Sequence, residues 1–138
     1  MNEKIRALVA DDNANLRDLL KCVLEMQDVD VSTAIDGRDA VRQAMTTRFD
    51  MIFTDIGMPN MDGLTAVRLI REHEVAIQRS PAKIVIVSAY GSPSDIEAAR
   101  RAGADGHVTK PFSVDDFLRD HFGVERPDVS TRPAKMRA

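Results

Sequence analysis

Met51-Ile52-Phe53-Thr54-Asp55-Ile56-Gly57-Met58-Pro59-Asn60-Met61-Asp62-Gly63 is the stretch from which the fold can be read. An apolar run ends in a carboxylate, and Gly57, Pro59 and a second Asp, paired with Gly63, follow within eight residues. The pattern predicts a buried strand that delivers Asp55 to the edge of a sheet, then a tight loop suited to an ion or a phosphate.

Reading outward from this stretch, apolar and β-branched runs recur at 5–10, 29–35, 50–54, 83–87 and 105–109, and each predicts a strand. Between them lie segments with helical periodicity. Asn13 is a candidate cap for a helix whose stripe is Leu16, Leu19, Leu20, Val23 and Leu24. The turn pair Asp36-Gly37 precedes a helix over 38–47, with Ala40, Val41, Ala44 and Met45 inward. A third helix spans 63–74 with Leu64, Val67 and Ile70 on one side, and Ser80-Pro81 breaks the chain after it. Ser94 is the expected cap of a helix over 95–102 that Gly103 ends, and Ser113 opens a last helix with Val114, Phe117, Leu118 and Phe122 as its apolar face. Five strands alternating with five helices predict an α/β fold, a parallel sheet covered on both faces.

At 138 residues the chain is long enough for one domain with a real core. Residues 1–123 are read as that domain. Residues 124–138 hold two prolines and few apolar residues, with Arg126, Arg132, Lys135 and Arg137 against Glu125 and Asp128, and predict a disordered tail. A net charge of -3, 4% aromatic residues and no basic cluster argue against nucleic-acid binding. No run approaches a membrane span, and the chain enters its first strand without a signal-peptide core. Cys22 is alone and off the apolar stripe of its helix, an inert thiol compatible with a reducing compartment. The expected location is the cytoplasm.

Four of the predicted strands end in chemistry: Asp11 and Asp12, Asp55, Ser88, and Lys110. In open α/β sheets ligands bind outside the carboxyl ends of the strands, so these groups are expected to converge. Three crowded carboxylates repel one another unless a cation lies between them. The donors are oxygens, with no His or Cys at these strand ends, which favours a hard cation: Mg²⁺ first, with Ca²⁺ as runner-up. With the cation, Lys110 and the Ser88 hydroxyl would stabilise charge on a phosphoryl group. Asp55 is the leading nucleophile, because carboxylates form acyl phosphates.

Asp11-Asp12, Asp55 with Met58-Pro59 and Asp62-Gly63, Ser88-Ala89 and Lys110-Pro111 together resemble the receiver domains of two-component response regulators, over residues 4 to 122. The resemblance implies a flavodoxin-like, doubly wound (βα)5 fold with strand order 2-1-3-4-5, the order of the chemotaxis receiver. It implies that Asp55 takes a phosphoryl group from the phosphohistidine of a sensor histidine kinase or a histidine phosphotransfer protein. Asp12 resembles the direct metal ligand, Asp11 one acting through water, and the Gly57 carbonyl a third ligand. The ion would be Mg²⁺, with Mn²⁺ as a substitute. Ser88 and Lys110 match the pair that contacts the phosphoryl oxygens, with the Ile56, Gly57 and Ala89 amides as backbone donors. Phosphorylation is then expected to draw Ser88 inward and reshape the face of the fourth helix, fifth strand and fifth helix for a downstream protein partner. The expected state is monomer or weak dimer.

This chain departs from the family at His107, where the family has Tyr or Phe as the switching ring, and at Ser88, where Thr is commoner. Two other classes compete. Haloacid-dehalogenase-like phosphatases also use an Asp nucleophile with Mg²⁺, but require a second Asp where this chain has Gly57. A scaffold that binds partners without phosphorylation would not need the acid pair, Asp55 and Lys110. Within the receiver reading, Met1 just before the first strand and the tail favour a stand-alone regulator, whereas the long connection over 71–82 resembles receivers of hybrid kinases.

Overall fold

A computed structural model of the chain describes residues 4–123. The expected tail over 124–138 lies outside the described residues. Ten elements alternate: β1 (Arg6–Ala10), α1 (Ala14–Glu25), β2 (Asp30–Ala34), α2 (Gly37–Thr46), β3 (Met51–Thr54), α3 (Gly63–Ala76), β4 (Lys83–Ser88), α4 (Pro93–Ala102), β5 (Gly106–Thr109) and α5 (Val114–Phe122). The strands form one sheet in the order β2-β1-β3-β4-β5, and every pairing is parallel. This is the flavodoxin-like α/β architecture that the residue pattern and the resemblance predicted.

Side chains alternate across a strand, so each central strand feeds two cores. Leu8, Ala10, Ile52, Ile84 and Ile86 pack on one face against Ala40 and Val41 of α2, Val67 and Ile70 of α3, and Ala99 of α4. Ala7, Val9, Phe53, Val85 and Val87 pack on the other against Leu20, Val23 and Leu24 of α1 and Phe117 and Leu118 of α5. Burial on both faces explains why β3 and β4 read as continuous apolar runs instead of alternating ones.

Most local signals act as expected. Asn13 caps α1 by accepting from the Leu16 amide at 3.1 Å, Ser113 caps α5, and Gly103 ends α4 in the left-handed region at φ 115°. Three expectations are corrected. The cap of α4 is Ser92, not Ser94: Pro93 takes the first helical position, where its missing N–H costs nothing, and Ser92 and Asp95 close a reciprocal capping box. Met45, expected inward, is 43% exposed, because it lies about 100° around the helix from Ala44, which already faces the sheet. Leu19 on the α1 stripe is 44% exposed, on the flank of the helix. Both ends of the edge strand β2 are shorter than predicted, and Ile35 is exposed just past the last β1 pairing, Ala10 with Ala34.

The connection after α3 is anchored through Arg71. Its guanidinium donates to the Ala82 carbonyl at 2.8 Å, the Gly103 carbonyl at 2.9 Å and the carboxylates of Glu74 at 2.8 Å and Asp105 at 2.7 Å. Glu74, only 5% exposed, in turn accepts from the Ala82 amide at 2.8 Å. The charged pair thus satisfies the backbone of a loop that carries no secondary structure of its own.

Candidate functional site

The site is built on the carboxyl ends of the strands. Asp11 follows β1 and is 2% exposed, Asp12 beside it is exposed, and Asp55 follows β3. Each can offer a carboxylate oxygen to a single point, since ligand atoms of the three lie within 4.8 Å of one another. Parallel register produces this convergence: Ala10 pairs with Thr54, so the residues after them emerge side by side.

The acids are held in different ways. Asp11 Oδ1 accepts from the Asn13 amide at 2.9 Å and Oδ2 from Lys110 at 3.1 Å, while its carbonyl accepts from Arg17 at 2.8 Å. Asp55 is fixed by its own amide donating to the Ala10 carbonyl at 3.0 Å, and its Oδ1 accepts from the Ile56 amide at 2.7 Å. Lys110 Nζ also reaches Asp55 Oδ2 at 3.1 Å, bridging two of the carboxylates. Burial opposes the charge on Lys110, but hydrogen bonds and attraction from Asp55 and then Asp11 outweigh it and hold its pKa above the ordinary lysine value.

Ser88 ends β4 with no exposed surface, and its Oγ accepts from the Tyr90 amide at 3.0 Å. Its carbonyl accepts from the Lys110 amide at 2.9 Å, so the hydroxyl and the ammonium are borne by neighbouring strand ends. Ala89 and Gly57 are exposed at the mouth of the site, and Ile56 is half-buried. A Cβ placed on Gly57 would meet nothing within 4 Å among the described residues. His107 lies lower on β5, opposite Ile86, with Nε2 2.9 Å from the Tyr90 carbonyl. A cavity of about 130 Å³ beside it is lined by Ile96 and Ala99 of α4.

The donor set fits a divalent cation: three carboxylates that share one point, all-oxygen chemistry, and one acid left exposed. Sequence reasoning missed two supports. Arg17 braces the Asp11 carbonyl from one turn into α1, a position that reads as ordinary helix surface. Asp36 reads as half of a turn pair and Asn60 only as part of the loop after Asp55, yet Asn60 Nδ2 donates to Asp36 Oδ2 at 2.6 Å. Neither contact leaves a periodic trace, because each joins segments distant in sequence or face. Exposed Leu19 lines an apolar groove with Leu16, Pro111 and Phe112 that runs up to Lys110. No helix among the described residues is long and apolar enough to cross a membrane.

Compared with known proteins, residues 7–120 match the family model described as "Response regulator receiver domain". Among curated relatives, the transcriptional regulatory protein PrrA of Mycobacterium leprae is 38% identical over 113 residues, covering 82% of this chain and 46% of PrrA. The chain spans about half the length, or less, of PrrA and similar curated relatives. A response regulator protein of Burkholderia pseudomallei, whose crystal structure has a phosphorylated aspartic acid, a calcium ion and citrate, shares the fold at a TM-score of 0.74. It is 26% identical, covering 84% of this chain and 65% of that one. The receiver domain of the sensor histidine kinase PA1611 of Pseudomonas aeruginosa PAO1, with a magnesium ion in its active site cleft, has a TM-score of 0.75. It is 28% identical, covering 86% of this chain and 94% of that one.

Proposed function

We propose a function from one premise: the chain belongs to the response regulator receiver domain family, whose model spans residues 7–120. It is a phosphoacceptor signalling domain in which Asp55 takes a phosphoryl group from the phosphohistidine of a histidine kinase or a histidine phosphotransfer protein. The observation that carries this reading is the convergence of Asp11, Asp12 and Asp55 under the bridging ammonium of Lys110.

In the reaction an Asp55 oxygen attacks phosphorus, the donor's N–P bond breaks, its electron pair returns to the imidazole, and an acyl phosphate remains. Asp12, Asp55 and the Gly57 carbonyl would hold Mg²⁺ directly and Asp11 through water; Mn²⁺ suits the same oxygens. Asp11 already spends both oxygens on Asn13 and Lys110, whereas Asp12 stands exposed, and this division supports those roles. The bound cation would neutralise charge on the transferring group. Lys110 and Ser88 then contact phosphoryl oxygens, joined by the Ile56, Gly57 and Ala89 amides as backbone donors. The phosphorylated aspartate of the Burkholderia pseudomallei protein and the magnesium ion of the PA1611 receiver support the acceptor and the ion.

Phosphorylation draws the Ser88 hydroxyl away from the Tyr90 amide. Because His107 bonds the Tyr90 carbonyl, the change passes to β5, and the cavity beside Ile96 gives the imidazole room to turn inward. The α4-β5-α5 face is then the surface presented to a downstream protein. The unit proposed is a cytoplasmic receiver formed by residues 1–123.

The test is incubation with acetyl phosphate and Mg²⁺, followed by intact-mass measurement of wild type and Asp55→Asn. One added phosphoryl group on the wild type and none on the variant is expected. Equal labelling of both would overturn the assignment, and steady release of phosphate from a small phosphoester would favour a phosphatase.

A further inference from the structure

Gly57 lies in the loop that joins β3 to α3, and it has no side chain with which to hold itself in place. Its position is set by what flanks it. On one flank, the Met58 and Gly63 amides both donate to the Ile56 carbonyl, at 3.0 and 2.8 Å. A Cβ on Gly63 would collide with the Asp55 carbonyl oxygen, so α3 starts hard against the backbone of the acceptor residue. Met58, 8% exposed, is the one loop side chain buried in the core.

On the other flank the loop meets the start of α2. Asn60 has a left-handed backbone, φ 69°, a conformation that short polar side chains tolerate better than most. That turn aims its amide at Asp36, a 7% exposed residue from a segment 24 positions earlier. Asp36 uses one oxygen to cap α2, accepting from the Asp39 amide at 2.8 Å, and the other to accept from Asn60 Nδ2 at 2.6 Å. These bonds, the Asp39 amide first, hold the Asp36 carboxyl below its ordinary pKa, so it remains a charged acceptor. Beside it, a Cβ on Gly37 would run into the Met61 carbonyl oxygen. The α2 N-terminus and the loop are therefore in backbone contact at Gly37 and locked by side chains at Asp36 and Asn60.

We infer that the Asp36–Asn60 pair is a positioning clamp, which keeps the 56–61 loop on the α2 N-terminus so that the Gly57 carbonyl faces the cation held by Asp12 and Asp55. This rests on the proposed role of Gly57 as a metal ligand. The clamp touches neither cation nor phosphoryl group and acts only through the loop. Without it, Gly57 would sample positions in which its carbonyl is misdirected, and the cation would lose one oxygen donor for part of the time.

Asn60→Gly isolates the clamp, since glycine adopts the left-handed backbone without strain and only the side-chain amide is deleted. The expected result is a fall in Mg²⁺ affinity of about tenfold, the scale at which groups behind metal ligands act. It would be read from NMR titration of the Gly57 and Asp12 amides with Mg²⁺ alone. The Mg²⁺ concentration giving half-maximal phosphoryl uptake from acetyl phosphate should rise in parallel, with the rate recovering at saturating Mg²⁺. The exchange Asp36→Asn with Asn60→Asp reverses the direction of the bond while keeping a competent cap at residue 36, and should regain most of the lost affinity. Wild-type Mg²⁺ affinity in Asn60→Gly, or a loss that the exchange fails to regain, overturns the clamp. Failure of the wild type to take up a phosphoryl group would instead overturn the Asp55 reading, with the Mg²⁺ titration still deciding the clamp.

Discussion

The Lys110 ammonium lies 3.1 Å from the Asp55 carboxylate, although the strands that carry them, β5 and β3, are separated in the sheet by β4. The lysine therefore reaches past the end of β4, where its own amide donates to the Ser88 carbonyl at 2.9 Å, and its ammonium serves the acids. One side chain thus ties the strand end that carries it to those of β1 and β3.

Replacing this ammonium exposes what it does for the resting protein. Lys110→Ala leaves Asp11 and Asp55 facing each other without a cation, and the metal-free protein should lose roughly 1–2 kcal/mol of stability. Added Mg²⁺ should raise the variant's melting temperature by more than it raises the wild type's, because the ion restores the missing positive charge. Thermal denaturation with and without Mg²⁺ checks this. Identical metal-induced shifts in the two proteins would refute the bridging role.

The Arg71–Glu74 pair yields a stability prediction far from the acids. Arg71→Met strands the Glu74 carboxylate, which is 5% exposed, without its guanidinium. The cost should be about 3–5 kcal/mol, the penalty for an uncompensated buried charge. Arg71→Met combined with Glu74→Gln should recover part of it, because the neutral amide tolerates burial better. Urea denaturation measures both, and a loss below about 1 kcal/mol in the single variant would show that solvent reaches Glu74.

His121 predicts an acid-sensitive step. Its ring packs on Phe53 and Phe117 at centroid distances of 5.7 and 5.0 Å, and Nδ1 is buried without a hydrogen-bond partner among the described residues. Burial, then repulsion from Lys83, push its pKa down, with Asp120 opposing. The folded value thus lies below the unfolded one of about 6.5. Between the two values the unfolded chain binds more protons, so stability rises with pH. This contribution is complete above about pH 6.5 and is lost as pH falls through the folded value. His121→Phe should flatten the stability profile in that window, measured by denaturant midpoints across pH; an unchanged slope would assign the effect to other groups.

Much of the site was legible because its chemistry sits at strand ends. Asp11, Asp12, Asp55, Ser88 and Lys110 each close an apolar run, and a parallel α/β sheet brings such residues to one edge whatever the details of packing. Met45 and Leu19 were misplaced because periodicity gives a helix face but not how far the partner surface extends along it. Ser94 reads as a good cap by residue type, and only the constraint of Pro93 on the first turn moves the cap to Ser92.

Local patterning alone determined the alternation of strands and helices, the two-sided core and the identity of the acids, since each depends on spacing along the chain. Which groups those residues actually meet was decided by tertiary structure. The bridge from Lys110 to Asp11 spans 99 residues, and that from Asn60 to Asp36 spans 24. Such contacts depend on strand register and on how closely two backbones approach at Gly37 and Gly63, quantities that no local propensity encodes. The Met51 to Gly63 stretch shows both sides: its apolar run announces a strand and the carboxylate that ends it, while its loop meets a helix that begins at Gly37.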